Sequence, residues 1–119
     1  MDKPQFVIQE HRTPDGIHWD LMLQRNHTLW TWRMSCRPAE IGDTPLPLEK
    51  IADHPMRFLT YEGPVKHKTG SVRIADEGTC EMIAESTDTI RVNFQGEHLN
   101  GCFTLSRTAL CDRWTLTRQ

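Results

Sequence analysis

Gln5-Phe6-Val7-Ile8-Gln9-Glu10-His11, the turn Pro14-Asp15-Gly16, and Ile17-His18-Trp19-Asp20-Leu21-Met22-Leu23 form the stretch that decides the fold. Side chains alternate faces along a strand, so Ile17, Trp19, Leu21 and Leu23 share one apolar face, which Phe6 and Ile8 join. His18, Asp20 and Met22 occupy the other. Folding the hairpin about Pro14-Asp15 sets His11 opposite His18 and Gln9 opposite Asp20, with opposed Cβ atoms about 4.5–5.5 Å apart. Two imidazoles and a carboxylate then converge on one face with the core behind them. That donor set suits one divalent ion, with manganese, iron and zinc all acceptable and positions left open for water and substrate. A hydrated hairpin face with two ordinary histidines is the competing reading, and a bulge at Gly16 would shift the register.

The same period of two extends outward from the hairpin. Thr28–Met34, Ser71–Ile74, Thr79–Ala84, Thr89–Phe94, His98–Ser106 and Arg113–Arg118 read as strands. Turn residues separate them at Arg25-Asn26-His27, Asp76-Glu77-Gly78, Gln95-Gly96-Glu97 and Ala109-Leu110-Cys111-Asp112. Arg37–Leu48 reads as a long loop, and Leu46–Ala52 as one or two short helical turns. The expected fold is all-β: one antiparallel β-barrel domain over residues 1–119. With 119 residues, 37% of them hydrophobic and 25% charged, the chain supports one modest core. No apolar run approaches the roughly 20 residues of a membrane span, and Met1–Gln5 does not read as a signal peptide, so a cytoplasmic protein without a membrane is expected. A net charge of -2 does not indicate a general electrostatic grip on nucleic acid, so any phosphate binding must come from a local cluster. Cys36, Cys80, Cys102 and Cys111 lack CxxC spacing and read as buried small hydrophobes.

Three further features bear on function. Pro55 pushes His54 out of the helical region and makes Asp53-His54-Pro55 an extended turn. Arg57, Lys66, His67, Lys68 and Arg73 are the densest positive cluster, either a solvated face or a phosphate site. Trp30, Trp32 and Trp114 lie in strand-like segments and read as core.

In its ordered motifs the chain resembles the phosphoesterase domain of bacterial DNA ligase D. Phe6-Val7-Ile8-Gln9-Glu10-His11 followed by His18-Trp19-Asp20-Leu21-Met22-Leu23 is similar to the family pattern F-V-x-Q-x-H, short loop, L-H-Y-D-x-R-L. The resemblance continues through Trp32, Asp53-His54-Pro55, Tyr61-Glu62-Gly63, Asp76-Glu77-Gly78 and Gly96-Glu97-His98-Leu99-Asn100-Gly101. It implies a small β-barrel that removes a terminal ribonucleoside or a 3′-phosphate from nucleic-acid ends in DNA repair, using manganese, with repair ligases or polymerases as partners. It implies His11, His18 and Asp20 as metal ligands, His54 at the scissile phosphate, and Gln9 in support. The family arginine two residues after the metal aspartate is Met22 here, and the family tyrosine four residues after the histidine of Asp-His-Pro is Phe58. The family lysine falls at Cys36, beside Arg37. Arg33, Arg37, Arg57 and Lys66 are therefore the candidates to bind phosphate in their place, and a guanidinium restored at Met22 is expected to raise activity.

Two other functions remain open at this point. One is a non-catalytic nucleic-acid-binding or repair-accessory module with the same fold. The other is a mononuclear iron oxygenase built on His18, Asp20 and His54.

Overall fold

The computed structural model describes residues 3–65, 70–108 and 111–119, and in it the alternating segments pair into one antiparallel sheet that closes on itself. The strands are β1 (Gln5–Thr13), β2 (Gly16–Arg25), β3 (Thr28–Met34), β4 (Leu46–Pro55), β5 (Gly63–Pro64), β6 (Ser71–Glu85), β7 (Thr89–Gly96), β8 (Asn100–Arg107) and β9 (Arg113–Arg118). Around the barrel they run β1-β2-β3-β4-β9-β8-β7-β6, with β6 returning to pair with β1. The two-residue β5 adds to the start of β6. Lys66, His67 and Lys68 of the basic cluster, and Ala109-Leu110 of the last expected turn, lie outside the described residues. No helix among the described residues is long and apolar enough to cross a membrane.

Alternation fills the barrel. Phe6, Ile8, Leu21, Leu23, Trp32, Phe94, Phe103 and Leu105 are almost completely buried in one interior cluster. Each such side chain contributes about 1.5–3 kcal/mol relative to an exposed one. Phe6, Phe94 and Phe103 meet edge to face, with centroids 5.0 and 5.9 Å apart, the arrangement that aromatic quadrupoles favour. Trp19 also joins the core. Trp32 and Trp114 are core as expected, whereas Trp30 is only partly buried.

The structure corrects the sequence reading at three places. Leu46–Ala52 is not helical: it belongs to β4, which pairs with β3 through Glu49–Pro55 and with β9 through Leu46–Glu49. The β3 pairing ends at Arg33–Glu49, so Pro47 has a ladder partner on one side only, where its missing N–H is tolerated. The helical turns are instead 3-10 turns at Pro38–Glu40 and Met56–Leu59. Asp76-Glu77-Gly78 is not a turn but the middle of a continuous 15-residue strand. Among the cysteines Cys80 is buried, and burial pushes its thiol up to about 11, while Cys111 is exposed and not a core residue.

β6 runs through that stretch because it carries a bulge. Gln9 pairs with Ile74 and Ile8 with Asp76, which leaves Ala75 unpaired between them. The extra residue turns Ile74 outward and Asp76 inward. Asp76 then accepts four backbone N–H groups: Glu77 at 2.9 Å and Glu97 at 2.9 Å on Oδ1, His98 at 3.1 Å and Leu99 at 2.8 Å on Oδ2. Its carboxylate thereby holds the turn between β7 and β8. Gly78 follows where a Cβ would stand 2.1 Å from the Gln95 carbonyl oxygen, so only glycine fits against β7 there.

Candidate metal centre on the outer barrel face

The hairpin register is the expected one: His11 pairs with His18 and Gln9 with Asp20, across a turn closed by Thr13 and Gly16. Phe6 and Ile8 face inward, so Val7, Gln9 and His11 face outward, together with His18, Asp20 and Met22 of β2 and Leu29, Thr31 and Arg33 of β3. His11 Nδ1 lies 3.0 Å from His18 Nε2, and His18 Nε2 lies 3.6 Å from Asp20 Oδ2. One ligand atom from each of His11, His18 and Asp20 falls within 4.8 Å of the others. Two imidazole nitrogens and a carboxylate oxygen form a donor set that fits manganese, iron or zinc.

Arg33 supplies what the hairpin lacks. It pairs with Asp20 across the β2–β3 ladder, and its Nε donates to Asp20 Oδ1 at 3.1 Å. Asp20 is 3% exposed, whereas the Arg33 side chain is 39% exposed. Its Nε therefore anchors the carboxylate while the side chain stays part-exposed. A cavity of about 780 Å³ opens beside His18 and Arg33, lined also by Thr108, Cys111 and Asp112. His11 and Asp20 do not line it: Asp20 lies beneath Arg33 rather than at the surface.

Burial acts to raise the Asp20 pKa, but the neighbouring His18 imidazole and the Arg33 guanidinium outweigh it and hold the carboxyl below its ordinary 3.8. A depressed carboxyl contributes stability that is fully present above its unfolded-state pKa and is lost as pH falls through the folded-state one. The wild-type protein is thus expected to lose stability below about pH 4 by an amount that Asp20→Asn does not lose. Urea denaturation of both proteins at pH 7 and pH 3 checks this, and parallel losses would contradict it.

Gln9 faces outward but is fully buried. Its Nε2 donates to the Phe58 and Tyr61 carbonyl oxygens, both at 2.9 Å. It is a positioning residue that ties the Met56–Tyr61 segment onto the barrel. That segment covers Val7, Met22 and Leu29 with Met56, Phe58 and Leu59. His54 stands beyond this apolar patch. Its Nδ1 is 3.0 Å from Thr31 Oγ1 and 3.1 Å from the Ala52 carbonyl oxygen. A carbonyl can only accept, so Nδ1 carries the proton and Nε2 is the atom free to exchange one. Thr31, fully buried and directly across from Met22, was not marked by the sequence as a site residue. The one signal for it is its place as a polar residue between Leu29 and Arg33 on the outward face of β3.

The remaining candidates are placed elsewhere. Arg37 is exposed and lines a separate cavity with Glu10, Arg12, Trp19 and Arg73, so it does not join the metal cluster. Arg57 is exposed, with its guanidinium 4.7 Å from the centre of the Phe58 ring. Lys66 lies outside the described residues. His54 does not group with His18 and Asp20; His11 does, so the His18–Asp20–His54 triad of the iron oxygenase reading is not formed.

Met22 changes the expected result of restoring an arginine. It is 1% exposed and packed under the Met56–Leu59 turn. A guanidinium there must displace this packing and be buried without a free counter-charge, since Asp20 already holds Arg33. Met22→Arg is expected to cost about 2–3 kcal/mol and to leave activity no higher. Thermal melting with a phosphate-release assay checks it; a variant both stable and more active would show that the patch opens readily.

A family model described as the DNA Ligase D 3′-phosphoesterase domain matches residues 9–107. No curated protein matches the chain.

Proposed function

The chain belongs to the DNA ligase D 3′-phosphoesterase domain family, whose function is of the 3′-phosphoesterase type on nucleic-acid ends in DNA repair, and from that premise we propose that it is a divalent-metal-dependent hydrolase of 3′-terminal phosphoesters. The observation that carries this reading is the convergence of His11, His18 and Asp20 within 4.8 Å on the outer face, beside an open cavity. These three residues would hold the ion, with manganese the first candidate and zinc or iron the alternatives. When bound, the ion supplies Lewis-acid neutralisation of a phosphate oxygen and an acidified water.

The protein groups divide the rest of the work. Arg33 fixes Asp20 through Nε and offers its outward N–H groups to a phosphate oxygen, a charge-assisted contact of the kind lost with the family arginine. The Ala52 and Thr31 oxygens hold the His54 ring with Nε2 as the proton-exchanging atom, suited to donate to a phosphate or leaving oxygen when charged. Gln9 keeps the covering segment in place and excludes water from the Met22 side. Arg33 thus takes over phosphate binding from a position one strand away from Met22.

The test is phosphate release from DNA ending in a 3′-phosphate, and nucleoside release from DNA ending in a 3′-ribonucleotide, with and without manganese. Release that requires the metal and is abolished by chelation is the expected result. No release with manganese, zinc or ferrous iron from a folded protein would leave the non-catalytic binding module as the function.

A further inference from the structure

Arg73 does not gather with Arg57. It pairs with Glu10 across the β1–β6 ladder, and with Glu10, Arg12, Ile17, Trp19 and Arg37 it lines a cavity of about 680 Å³. Phe6 and Ile8 face the barrel interior, so Glu10 and Arg12 share that face, and the cavity lies at the end of the barrel marked by the β1–β2 turn. Glu10 is its fixed centre. Oε2 lies 2.8 Å from Arg12 Nε and Oε1 3.4 Å from Arg73 Nη2. The Glu10 side chain is 11% exposed, whereas those of Arg12 and Arg73 are 57% and 66% exposed. Arg37, which opens the 3-10 turn at Pro38–Glu40, is also exposed, and its guanidinium has no acidic partner among the described residues. Glu62 is the other carboxylate at this cavity, and its Oε2 already accepts the Ile74 N–H at 2.8 Å.

A guanidinium carries five N–H donors and a carboxylate about four acceptor positions. Glu10 therefore holds Arg12 and Arg73 in place without satisfying them, and Arg37 adds a third set of donors. Three arginines around one buried carboxylate form a site for an anion with several oxygens, and the planar guanidinium fork matches phosphate. The position favours a phosphate that belongs to the substrate. The Arg12–Ile17 pair is the rung next to His11–His18 in the same ladder, about 3.4 Å along the strands. Ile17, exposed at the surface, borders both this cavity and the one beside His18 and Arg33. We propose that the arginine cavity seats a phosphodiester of the nucleic-acid strand whose 3′ end lies at the metal cluster, a proposal that rests on the nucleic-acid substrate proposed above. With a net charge of -2 the chain offers the strand no general attraction, so losing one of these arginines should weaken binding more than losing an arginine elsewhere.

The test is fluorescence anisotropy of 5′-labelled single-stranded hexathymidylate ending in a 3′-hydroxyl, without metal, over a series of salt concentrations. It reads strand binding apart from phosphate release. Combining Arg12→Gln, Arg37→Gln and Arg73→Gln should lower the slope of log affinity against log salt by about 0.7, the share of one phosphate in a single strand. Arg37→Gln alone should raise the dissociation constant about 3- to 5-fold. It leaves Glu10 and its two partners untouched, so it stands as a test even if the triple variant fails to fold. Arg91→Gln removes the same charge from an exposed position on β7 that does not line the cavity, and should bind like the wild type. Wild-type affinity in Arg37→Gln, or an equal loss in Arg91→Gln, would overturn the site. Displacement of the strand by an equal concentration of inorganic phosphate would overturn the strand as its source. Wild-type strand affinity in Arg37→Gln alongside metal-dependent phosphate release would overturn the arginine site alone. Binding weakened in Arg37→Gln and not in Arg91→Gln, without phosphate release under any metal, would support the arginine site while refuting the phosphoesterase reading.

Discussion

Asp20→Ala is expected to lower metal-dependent 3′-phosphate release by about 10³-fold or more, and Arg33→Ala by about 10²–10³-fold. Asp20 has two roles: it is a proposed ligand in the cluster with His11 and His18, and its Oδ1 accepts from Arg33 Nε at 3.1 Å. Removing it takes away a ligand and leaves the guanidinium without its anchor. Removing Arg33 leaves a buried carboxylate less well compensated and deletes the proposed phosphate contact. Because the two residues act as a unit, their effects should not add: the double variant should fall little further than Asp20→Ala. Initial rates for the two single variants and the double variant check this. Full additivity would place Arg33 outside the site.

The second large effect falls on stability. Asp76→Ala removes the acceptor of four backbone N–H groups, those of Glu77, Glu97, His98 and Leu99. Hydrogen bonds to charged groups are worth about 1.5–3 kcal/mol each, and a buried donor left unpaired costs a further 1–3 or so. Leu99 is fully buried, so its N–H cannot turn to water, while Glu97 and His98 are exposed and recover part of their loss. A net cost of about 3–5 kcal/mol is expected, comparable with truncating a large core residue. Denaturant unfolding of wild type and Asp76→Ala measures it. A loss below about 1 kcal/mol would mean that the β7–β8 turn holds without its carboxylate.

The hairpin was legible from sequence because two local signals agree there. Ile17, Trp19, Leu21 and Leu23 alternate cleanly and Pro14-Asp15 marks the turn, so the facing of His11 and His18 follows from parity once Thr13 pairs with Gly16 and no bulge intervenes. β4 was not legible because its two halves have different partners, and Pro47, which argues against a central strand, is tolerated where β3 has already ended. Asp76-Glu77-Gly78 has the composition of a turn, and only the bulge at Ala75, set by pairing with a strand some seventy residues away, turns Asp76 inward. Within the site, His11, His18 and Asp20 could be grouped by counting along one hairpin. Arg33 could be named but not placed, because its partner depends on the β2–β3 register. The replacement of the family arginine by Met22 was visible, whereas its burial beneath Met56 and Phe58 was not, since that depends on how Gln9 ties down the Met56–Tyr61 segment.

Calorimetric titration of manganese into the wild-type protein and into His11→Ala, His18→Ala and Asp20→Ala tests the metal centre most directly. One ion bound per chain by the wild type is the predicted result. Outer partners of a metal site alone are worth about 10–100-fold in affinity, so loss of any one of the three ligands should weaken binding by at least about 100-fold. Wild-type affinity retained in all three folded variants would contradict a metal site at this hairpin.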